Sequence, residues 1–243
     1  MKFTGERFIP TEQGRIRLEH YHRYAAVKDI VVQKDVLDLA CGEGYGSAFM
    51  ADFAKTVVGA DISNEAIKHA SQNYKKSNLI FQQSSAISLK LADDSFDVVV
   101  SFETIEHLAE QEKMLAEIRR VLRPKGILVI SSPNRPVYSE ESGEHNEFHV
   151  KELDFDEFDA LLEKQFPFVK YYGQRMLMGS VIQSLEGGQT SYQAWNDDGK
   201  NLSPQSGNFS DPVYFLAIAS ADKSNLLEVV SSVIYPKDLD LVK

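Results

Sequence analysis

The stretch VLDLACGEGYGS, from Val36 to Ser47, constrains the fold more than any other part of the chain. A short apolar run, typical of a buried strand, breaks there into a turn that contains Gly42, Gly44 and Gly46. Glycines after a first strand let the backbone approach a ligand closely, and the helix that follows offers its N-terminus. The stretch therefore predicts the strand, turn and helix that open a ligand-binding α/β sheet.

An alternation of strand and helix patterns continues from this turn to Ser132. Strands rich in Val, Ile and Phe are predicted at Val36–Ala40, Thr56–Asp61, Leu79–Gln82, Phe96–Phe102 and Ile127–Ser132. Helical patterns lie between them, and Ser63 is a good N-cap for one. The alternation implies a parallel, doubly wound sheet. Further along, KELDFDEFDALLEKQF predicts an amphipathic helix, and FVKYYGQ and PVYFLAIAS predict a final pair of strands.

The composition argues against several classes of protein. The formal net charge of −10 argues against nucleic acid as the main partner, because phosphate contacts need clustered Lys and Arg. No apolar run is long enough to span a bilayer, and the start MKFTGERFIP lacks the apolar core of a signal peptide. The single cysteine, Cys41, cannot form an internal disulfide, so a cytoplasmic location is expected.

The glycine spacing separates the candidate ligands. Dinucleotide binding favours G-x-G-x-x-G and a P-loop ends in GK[ST], and neither pattern is present. The sequence instead resembles the first motif of class I S-adenosylmethionine (SAM) methyltransferases, usually D-x-G-x-G-x-G, at Asp38, Ala40, Gly42 and Gly44. Ala40 replaces the usual first glycine. The resemblance implies that SAM is the cofactor and S-adenosylhomocysteine the product.

The resemblance to this family continues in order over about residues 36–133. Asp61 ends the second strand, where an acidic residue of the family binds both ribose hydroxyls. Ser85 stands where the family often has an aspartate for the adenine amino group. The motif SFDVVVSFETIEHL places Glu103 beside the methionine end of the cofactor, and Arg23 could bind the SAM carboxylate. The predicted cofactor-binding set is completed by Tyr21, Ile62 and Ala86.

The implied fold class is α/β, with a Rossmann-like, doubly wound and mostly parallel seven-stranded sheet. Its last strand is expected to be antiparallel, and an N-terminal helix and a long lid loop are added to it. A lid is predicted at 180–212, because long polar loops in compact domains often close over ligands. The C-terminal tail LLEVVSSVIYPKDLDLVK is apolar enough to pack on the domain or on a second subunit, so a homodimer is one expectation. A single domain, 1–243, is expected to divide into a cover helix (1–34), a SAM-binding core (35–133), a substrate-side loop, helix, lid and final strands (134–220) and a C-terminal tail (221–243).

Three histidines are the predicted catalytic residues, because an acceptor hydroxyl gains from a general base. His107 follows the fourth strand, at the edge where ligands of such folds lie, and in similar methyltransferases this histidine is near the methyl group. His145 and His149 lie in HNEFH, a polar loop that leaves the fifth strand at the same edge. The glutamate of that stretch is one place late for H-E-x-x-H, so no metal site is predicted.

The flanking stretches GERFIP…LEHYHRYAAV and SPNRPVY…NEFHVKELDFDEFDALL show a looser resemblance. They are similar to a subgroup of bacterial methyltransferases often associated with surface polysaccharide or sugar modification. The implied function is SAM-dependent methyl transfer, with a hydroxyl of a small polar or saccharide-like molecule as acceptor. Two alternatives stay open. One is an N- or C-methyltransferase of small-molecule or quinone biosynthesis, and the other is a SAM-binding protein without catalysis.

Overall fold

The helices and strands of the computed structural model follow the predicted alternation. The structure describes residues 14–143, 145–177, 195–197, 202–204 and 211–234. Its helices are α1 (Arg15–Ala26), α2 (Tyr45–Met50), α3 (Asn64–Asn73), α4 (Gln111–Val121) and α5 (Phe155–Glu163). Its strands are β1 (Asp35–Leu39), β2 (Thr56–Asp61), β3 (Leu79–Gln83), β4 (Phe96–Ser101), β5 (Leu122–Pro133), β6 (Phe168–Gln174), β7 (Trp195–Asp197), β8 (Leu202–Pro204) and β9 (Tyr214–Ser220).

Seven of these strands form one sheet in the order β3-β2-β1-β4-β5-β9-β6, and β7 pairs with β8 apart from it. Strands β1 to β5 are parallel, and β9 is inserted antiparallel between β5 and β6. The predicted Rossmann-like sheet with an antiparallel last strand is confirmed. The strand order reverses between β1 and β4, and ligands of such sheets bind outside the carboxyl ends at this point.

Both faces of the sheet are covered, as the low charge of the strands predicts. Val99 of β4 packs in one buried cluster with Leu115 of α4 and Phe158 of α5. Its neighbours Val98 and Val100 pack in a second cluster on the other face, together with residues of α1 and α2. Because successive side chains of a strand point to opposite faces, two cores hold the same strand in place. The carboxyl ends of the strands are therefore held at fixed positions, and so are the starts of the loops that follow them.

The helix ends follow from local hydrogen bonds. Ser63 caps α3, as predicted, by accepting a hydrogen bond from the backbone N–H of Ala66 at 3.2 Å. Helix α5 begins four residues later than the predicted helix, because Asp154 and Glu157 form a capping box in which each side chain accepts from the other residue's backbone. Lys151 to Leu153 consequently remain outside the helix.

The predicted lid, residues 180–212, lies almost entirely outside the described residues. Within it, only the short pairing of β7 with β8 and residues 211–212 are described. Among the helices that the structure does describe, none is long and apolar enough to cross a membrane.

Candidate active site at the carboxyl edge of the sheet

The glycine turn connects β1 to α2 and carries three residues with positive φ. These are Ala40 at 60°, Gly42 at 53° and Gly44 at 84°. The backbone N–H of Gly44 donates to the carbonyl oxygen of Cys41 at 3.0 Å, which closes the turn. A left-handed conformation costs a non-glycine residue about 1–2 kcal/mol, so the alanine at position 40 stores strain that the family's usual glycine avoids. Such strain tends to persist at ligand sites.

Gly42 and Gly44 face different surroundings. A Cβ added to Gly44 would lie 2.7 Å from Ala70 Cβ and from the Phe81 ring, so this glycine lets the turn pack on α3 and β3. A Cβ added to Gly42 would meet nothing within 4 Å. Gly42 therefore presents bare backbone to open space, as a turn that cradles the methionine part of SAM requires.

Asp38 lies beneath the turn and is 1% exposed. Its carboxylate accepts hydrogen bonds from Ser47 Oγ at 2.5 Å and from Tyr24 Oη at 3.2 Å. These contacts join β1 to α1 and α2. We propose that Asp38, predicted to bind the cofactor, acts on the site by holding the turn. Burial raises the pKa of the Asp38 carboxyl to about 7, against the lowering effect of the two hydroxyl donors.

The raised pKa of Asp38 makes the free energy of unfolding depend on pH. Between the unfolded pKa of 3.8 and the folded pKa of about 7, the folded chain keeps a proton that the unfolded chain has lost. Asp38 therefore reduces stability as the pH rises through this window, by about 4 kcal/mol in all, and no further above it. The Asp38→Asn variant has no titrating group at this position, so its free energy of unfolding lacks this decrease with pH. Urea unfolding at pH 5 and pH 8 should show the variant gaining stability relative to the unchanged chain at the higher pH, and a constant difference would contradict the assignment.

Asp61 ends β2 beside the glycine turn and is 7% exposed. Its Oδ2 accepts from the backbone N–H of Gly42 at 3.0 Å, and its Oδ1 accepts from that of Ser63 at 2.8 Å. A carboxylate oxygen has room for a second hydrogen bond, so both can also accept from the two ribose hydroxyls. The next residue, Ile62, is 68% exposed and offers an apolar surface beside this carboxylate, where the resemblance places adenosine.

Asp61→Ala is expected to weaken SAM binding by about 1–3 kcal/mol, because two hydroxyls lose their acceptor in a partly buried site. The control is Asp35→Ala. Asp35 lies at the opposite edge of the sheet and accepts hydrogen bonds from Thr56 and Lys55. Both variants should lose stability, but only Asp61→Ala should lose affinity in calorimetric titration with SAM. Equal affinities in the two variants would remove Asp61 from the predicted site.

Ser85 and Ala86 follow β3 on the same edge and are half-buried. Ser85 Oγ accepts a long hydrogen bond, 3.4 Å, from the backbone N–H of Ile87. The backbone N–H of Ser84 donates to the carbonyl oxygen of Asp61 at 2.9 Å, which brings this loop against the end of β2. The predicted adenine contact of Ser85 and Ala86 stays a prediction, and the loop lies next to Asp61, as that contact requires.

Arg23 of α1, which is predicted to bind the SAM carboxylate, is buried, with 3% exposure. Its Nε donates to Gln174 Oε1 at 2.7 Å, its Nη2 lies 3.6 Å from Glu103 Oε2, and its guanidinium lies 4.5 Å from the centre of the Tyr214 ring. Its Nη1 is buried and has no hydrogen-bond partner among the described residues. An unpaired buried guanidinium nitrogen suits the SAM carboxylate.

Glu103 has a φ of 49°, in the left-handed region, just beyond the end of β4. The hydroxyl of Ser131 on β5 accepts from the backbone N–H of Glu103 at 3.0 Å and donates to its Oε1 at 2.6 Å. The strained residue is thus held in place from the neighbouring strand.

Tyr21 of α1 lies against Tyr45, with ring centres 5.1 Å apart, over the start of α2.

His107 and its neighbour Glu106 follow β4 at the same edge. His107 Nδ1 contacts the carbonyl oxygen of Phe148 at 2.8 Å. Because a carbonyl can only accept, Nδ1 carries the proton and the lone pair of the ring lies on Nε2, 3.9 Å from Glu106 Oε1. Glu106 is fully buried, and burial raises its pKa well above the usual value. We name Glu106, His107 and His149 the histidine cluster.

His149 packs edge to face on His107, with ring centres 5.0 Å apart. Asn146 Oδ1 accepts from the backbone N–H of Phe148, so the Asn146 amide nitrogen faces His149 Nε2 at 3.0 Å. His149 Nδ1 contacts a carboxylate oxygen of Glu152 and therefore carries the ring proton, while Nε2 accepts from the Asn146 amide. Both ring nitrogens are therefore engaged, which favours a positioning role over that of a base. His145 is exposed.

A row of side chains joins the two halves of the site. The Arg23 guanidinium lies on the Tyr214 ring. Tyr214 contacts Tyr138, with ring centres 5.7 Å apart, and Tyr138 stacks on His149 at 5.4 Å. His149 in turn touches His107. The predicted cofactor end and the histidine cluster therefore share one wall.

Several residues of this site were not among the predicted site residues. Tyr138 and Tyr214 lie in segments whose contact depends on the pairing of β5 with β9, which no local pattern reveals. Glu106 is adjacent to His107 in the motif FETIEHL, and an acidic residue directly between an isoleucine and that histidine was the available signal. The described residues together fit SAM, with Gly42 as bare backbone, Asp61 as acceptor and Arg23 as an unsatisfied donor.

Comparison with known families supports this assignment. Residues 37–130 match a family described as a methyltransferase domain. A protein of Mycolicibacterium smegmatis named "Probable S-adenosylmethionine-dependent methyltransferase" is 37% identical over 166 residues, which are 67% of this chain and 64% of that protein. A ubiquinone biosynthesis O-methyltransferase of Rhizobium leguminosarum is 34% identical over 102 residues, 41% of this chain and 40% of its own. The chain thus spans less than two thirds of the length of these curated relatives.

Solved structures show the same fold at low sequence identity. A SAM-dependent methyltransferase of Thermotoga maritima is 16% identical, with a TM-score of 0.59 over 85% of this chain and 90% of that one. One from Mesorhizobium loti is 14% identical, with a TM-score of 0.56 over 83% of this chain and 97% of its own. At these identities the likeness concerns the fold alone.

Proposed function

Since the chain belongs to the class I SAM-dependent methyltransferases, we propose that it transfers a methyl group to a hydroxyl of a small polar or saccharide-like acceptor. The predicted cofactor, SAM, is confirmed by the family, and it supplies an electrophilic methyl group when bound. The chain would hold it through the backbone at Gly42, the carboxylate of Asp61 and the guanidinium of Arg23. The methyl group would then face the histidine cluster.

The observation that carries this proposal is the wall shared by the cofactor site and the histidine cluster. Arg23, Tyr214, Tyr138, His149 and His107 touch in that order. An acceptor that lies on this wall has aromatic faces beneath it and a proton-accepting nitrogen, His107 Nε2, at the end of the same row of side chains. Alignment of acceptor and methyl group supplies most of the rate, and proton removal adds to it.

Oxygen is the favoured acceptor atom for two reasons. An aliphatic or phenolic hydroxyl must lose its proton as the methyl group moves, and the cluster offers a lone pair for that task. One relative is named as an O-methyltransferase. The polar surroundings of the cluster, which include Asn146, Glu152 and Tyr138, suit an acceptor with several hydroxyls.

The test is a methyl-transfer assay of the full chain with SAM and three matched groups of acceptors. Saccharides and phenols form the first group, primary and secondary amines the second, and activated carbon acids the third. S-adenosylhomocysteine release is measured, and nuclear magnetic resonance of the product identifies the methylated atom. Release with the first group alone would support the proposal. Turnover confined to amines or carbon acids would overturn the choice of oxygen, and SAM binding without any turnover would favour the non-catalytic alternative.

A further inference from the structure

The histidine cluster has the arrangement of a cation site. Glu106, His107 and His149 each offer one ligand atom, and these three atoms lie within 4.8 Å of one another. Ligand bonds of about 2.0–2.2 Å place the donors of one ion some 3–4 Å apart, so a small inward movement would complete the site. The backbone N–H groups of Val150 and Lys151 donate to the carbonyl oxygen of Glu106 at 2.8 and 2.9 Å, which fixes the loop of His149 beside it.

Both imidazoles are oriented as metal ligands usually are. His107 Nδ1 donates to the carbonyl oxygen of Phe148, and His149 Nδ1 donates to the carboxylate of Glu152. Each contact fixes the tautomer in which Nε2 carries the lone pair. Metal-bound histidines in proteins show this pattern, in which the other ring nitrogen donates to a carboxylate or a backbone carbonyl.

Glu106 supplies an independent observation. Its side chain is 1% exposed, and neither carboxylate oxygen has a hydrogen-bond partner among the described residues. A buried carboxylate without a partner is costly unless a positive charge or a donor compensates it. The two imidazoles lie at this carboxylate, and the three groups together leave a position that a cation would fill.

We propose that Glu106, His107 and His149 bind a divalent transition-metal ion. Two imidazoles and one carboxylate suit Zn²⁺ better than Ca²⁺ or Mg²⁺, which prefer oxygen ligands throughout. A set of two histidines and one glutamate is also typical of sites that keep an open position. The amide of Asn146 lies 3.0 Å from His149 Nε2 and must turn away when the ion binds.

The consequence for catalysis rests on the proposed function. A hydroxyl oxygen in the open position of the ion would have a lowered pKa, and its proton would leave to water while the oxygen keeps the electron pair. His107 Nε2 would then be a ligand, so it would not itself accept that proton. The ion would replace the general base that the sequence predicts.

The proposal is tested by direct metal binding to the full chain, after removal of metals with a chelator. Co²⁺ serves as a spectroscopic probe, and Zn²⁺ and Mn²⁺ are titrated by calorimetry. We expect one equivalent per chain. Glu106→Gln and His149→Asn should each weaken binding at least about 100-fold, and Glu152→Gln, which removes only the partner of His149, about 10- to 100-fold. The control is Glu43→Gln, since Glu43 is also a buried carboxylate near a histidine, 3.8 Å from His69 Nδ1.

The outcomes separate this proposal from the proposed function. Circular dichroism shows whether each variant folds, and His149→Asn provides the test if Glu106→Gln does not fold. Absence of stoichiometric binding, or equal binding by Glu43→Gln, Glu106→Gln and His149→Asn, would overturn the cation site. SAM affinity, measured on the same metal-free protein, reports on the cofactor site independently. Metal-free protein that methylates a hydroxyl at the full rate would retain the function and contradict the role of the ion in it.

Discussion

The Arg23→Gln variant is expected to bind SAM about 10- to 150-fold more weakly than the unchanged chain, since a hydrogen bond to a charged group contributes about 1.5–3 kcal/mol. Arg23 is 3% exposed, and its Nη1 is the buried guanidinium nitrogen that finds no partner among the described residues. Gln174, Glu103 and Tyr214 hold the rest of the side chain. The guanidinium is therefore positioned before a carboxylate arrives, and little ordering is needed on binding.

A comparison of three ligands isolates this contact from any loss of stability. SAM and S-adenosylhomocysteine carry the amino-acid carboxylate, and 5′-methylthioadenosine does not. Calorimetry should show Arg23→Gln losing affinity for the first two and keeping it for the third. Arg23→Lys should lie between, because an ammonium keeps the charge without the planar fork. The control is Arg123→Gln, which breaks ion pairs to Asp35 and Asp97 at the opposite edge of the sheet. Equal losses for all three ligands would assign Arg23 to packing.

The parts of the site that depend on a continuous stretch of sequence were the ones that could be predicted. The glycine turn and Asp61 belong to two neighbouring strand ends, and parallel strands bring such ends to one edge. Their hydrogen bond, from the Gly42 N–H to Asp61, follows directly from that register. The separate roles of Gly42 and Gly44 could not be predicted, because they depend on where Ala70 and Phe81 of other elements lie.

The complete histidine cluster could not be predicted from the sequence alone. Glu106 and His107 are adjacent, but His149 joins them only because the loop after β5 folds back and its backbone pairs with the Glu106 carbonyl. From the sequence alone, His149 was grouped with His145, four residues before it, and no metal site was predicted for that pair. The structure instead leaves His145 exposed and places His149 against His107. Contacts between segments so far apart in sequence are set by tertiary packing, and a local pattern does not show them.

His107→Gln is expected to lower turnover by about 10²- to 10⁴-fold while leaving SAM affinity unchanged, because the variant removes either the base for the acceptor's proton or a ligand of the proposed ion. His107 follows β4 at the carboxyl edge, and its ring is oriented by the Phe148 carbonyl so that Nε2 carries the lone pair. Glutamine is close in size and can keep a hydrogen bond to that carbonyl, but its amide is neither a useful base nor a good metal ligand. Single-turnover kinetics at saturating SAM measures the effect.

Parallel variants identify which role His107 plays. His69→Gln, on α3, is the control and should turn over normally, and His145→Gln should do so as well, since its side chain is exposed. If His107 is a base, turnover should fall far more in His107→Gln than in Glu106→Gln or His149→Asn, because Glu106 and His149 would only position His107. If the three residues share a cation, all three variants should lose turnover to a similar extent and should lose metal binding with it. Normal turnover by His107→Gln would contradict both roles and would leave alignment of the acceptor as the source of the rate.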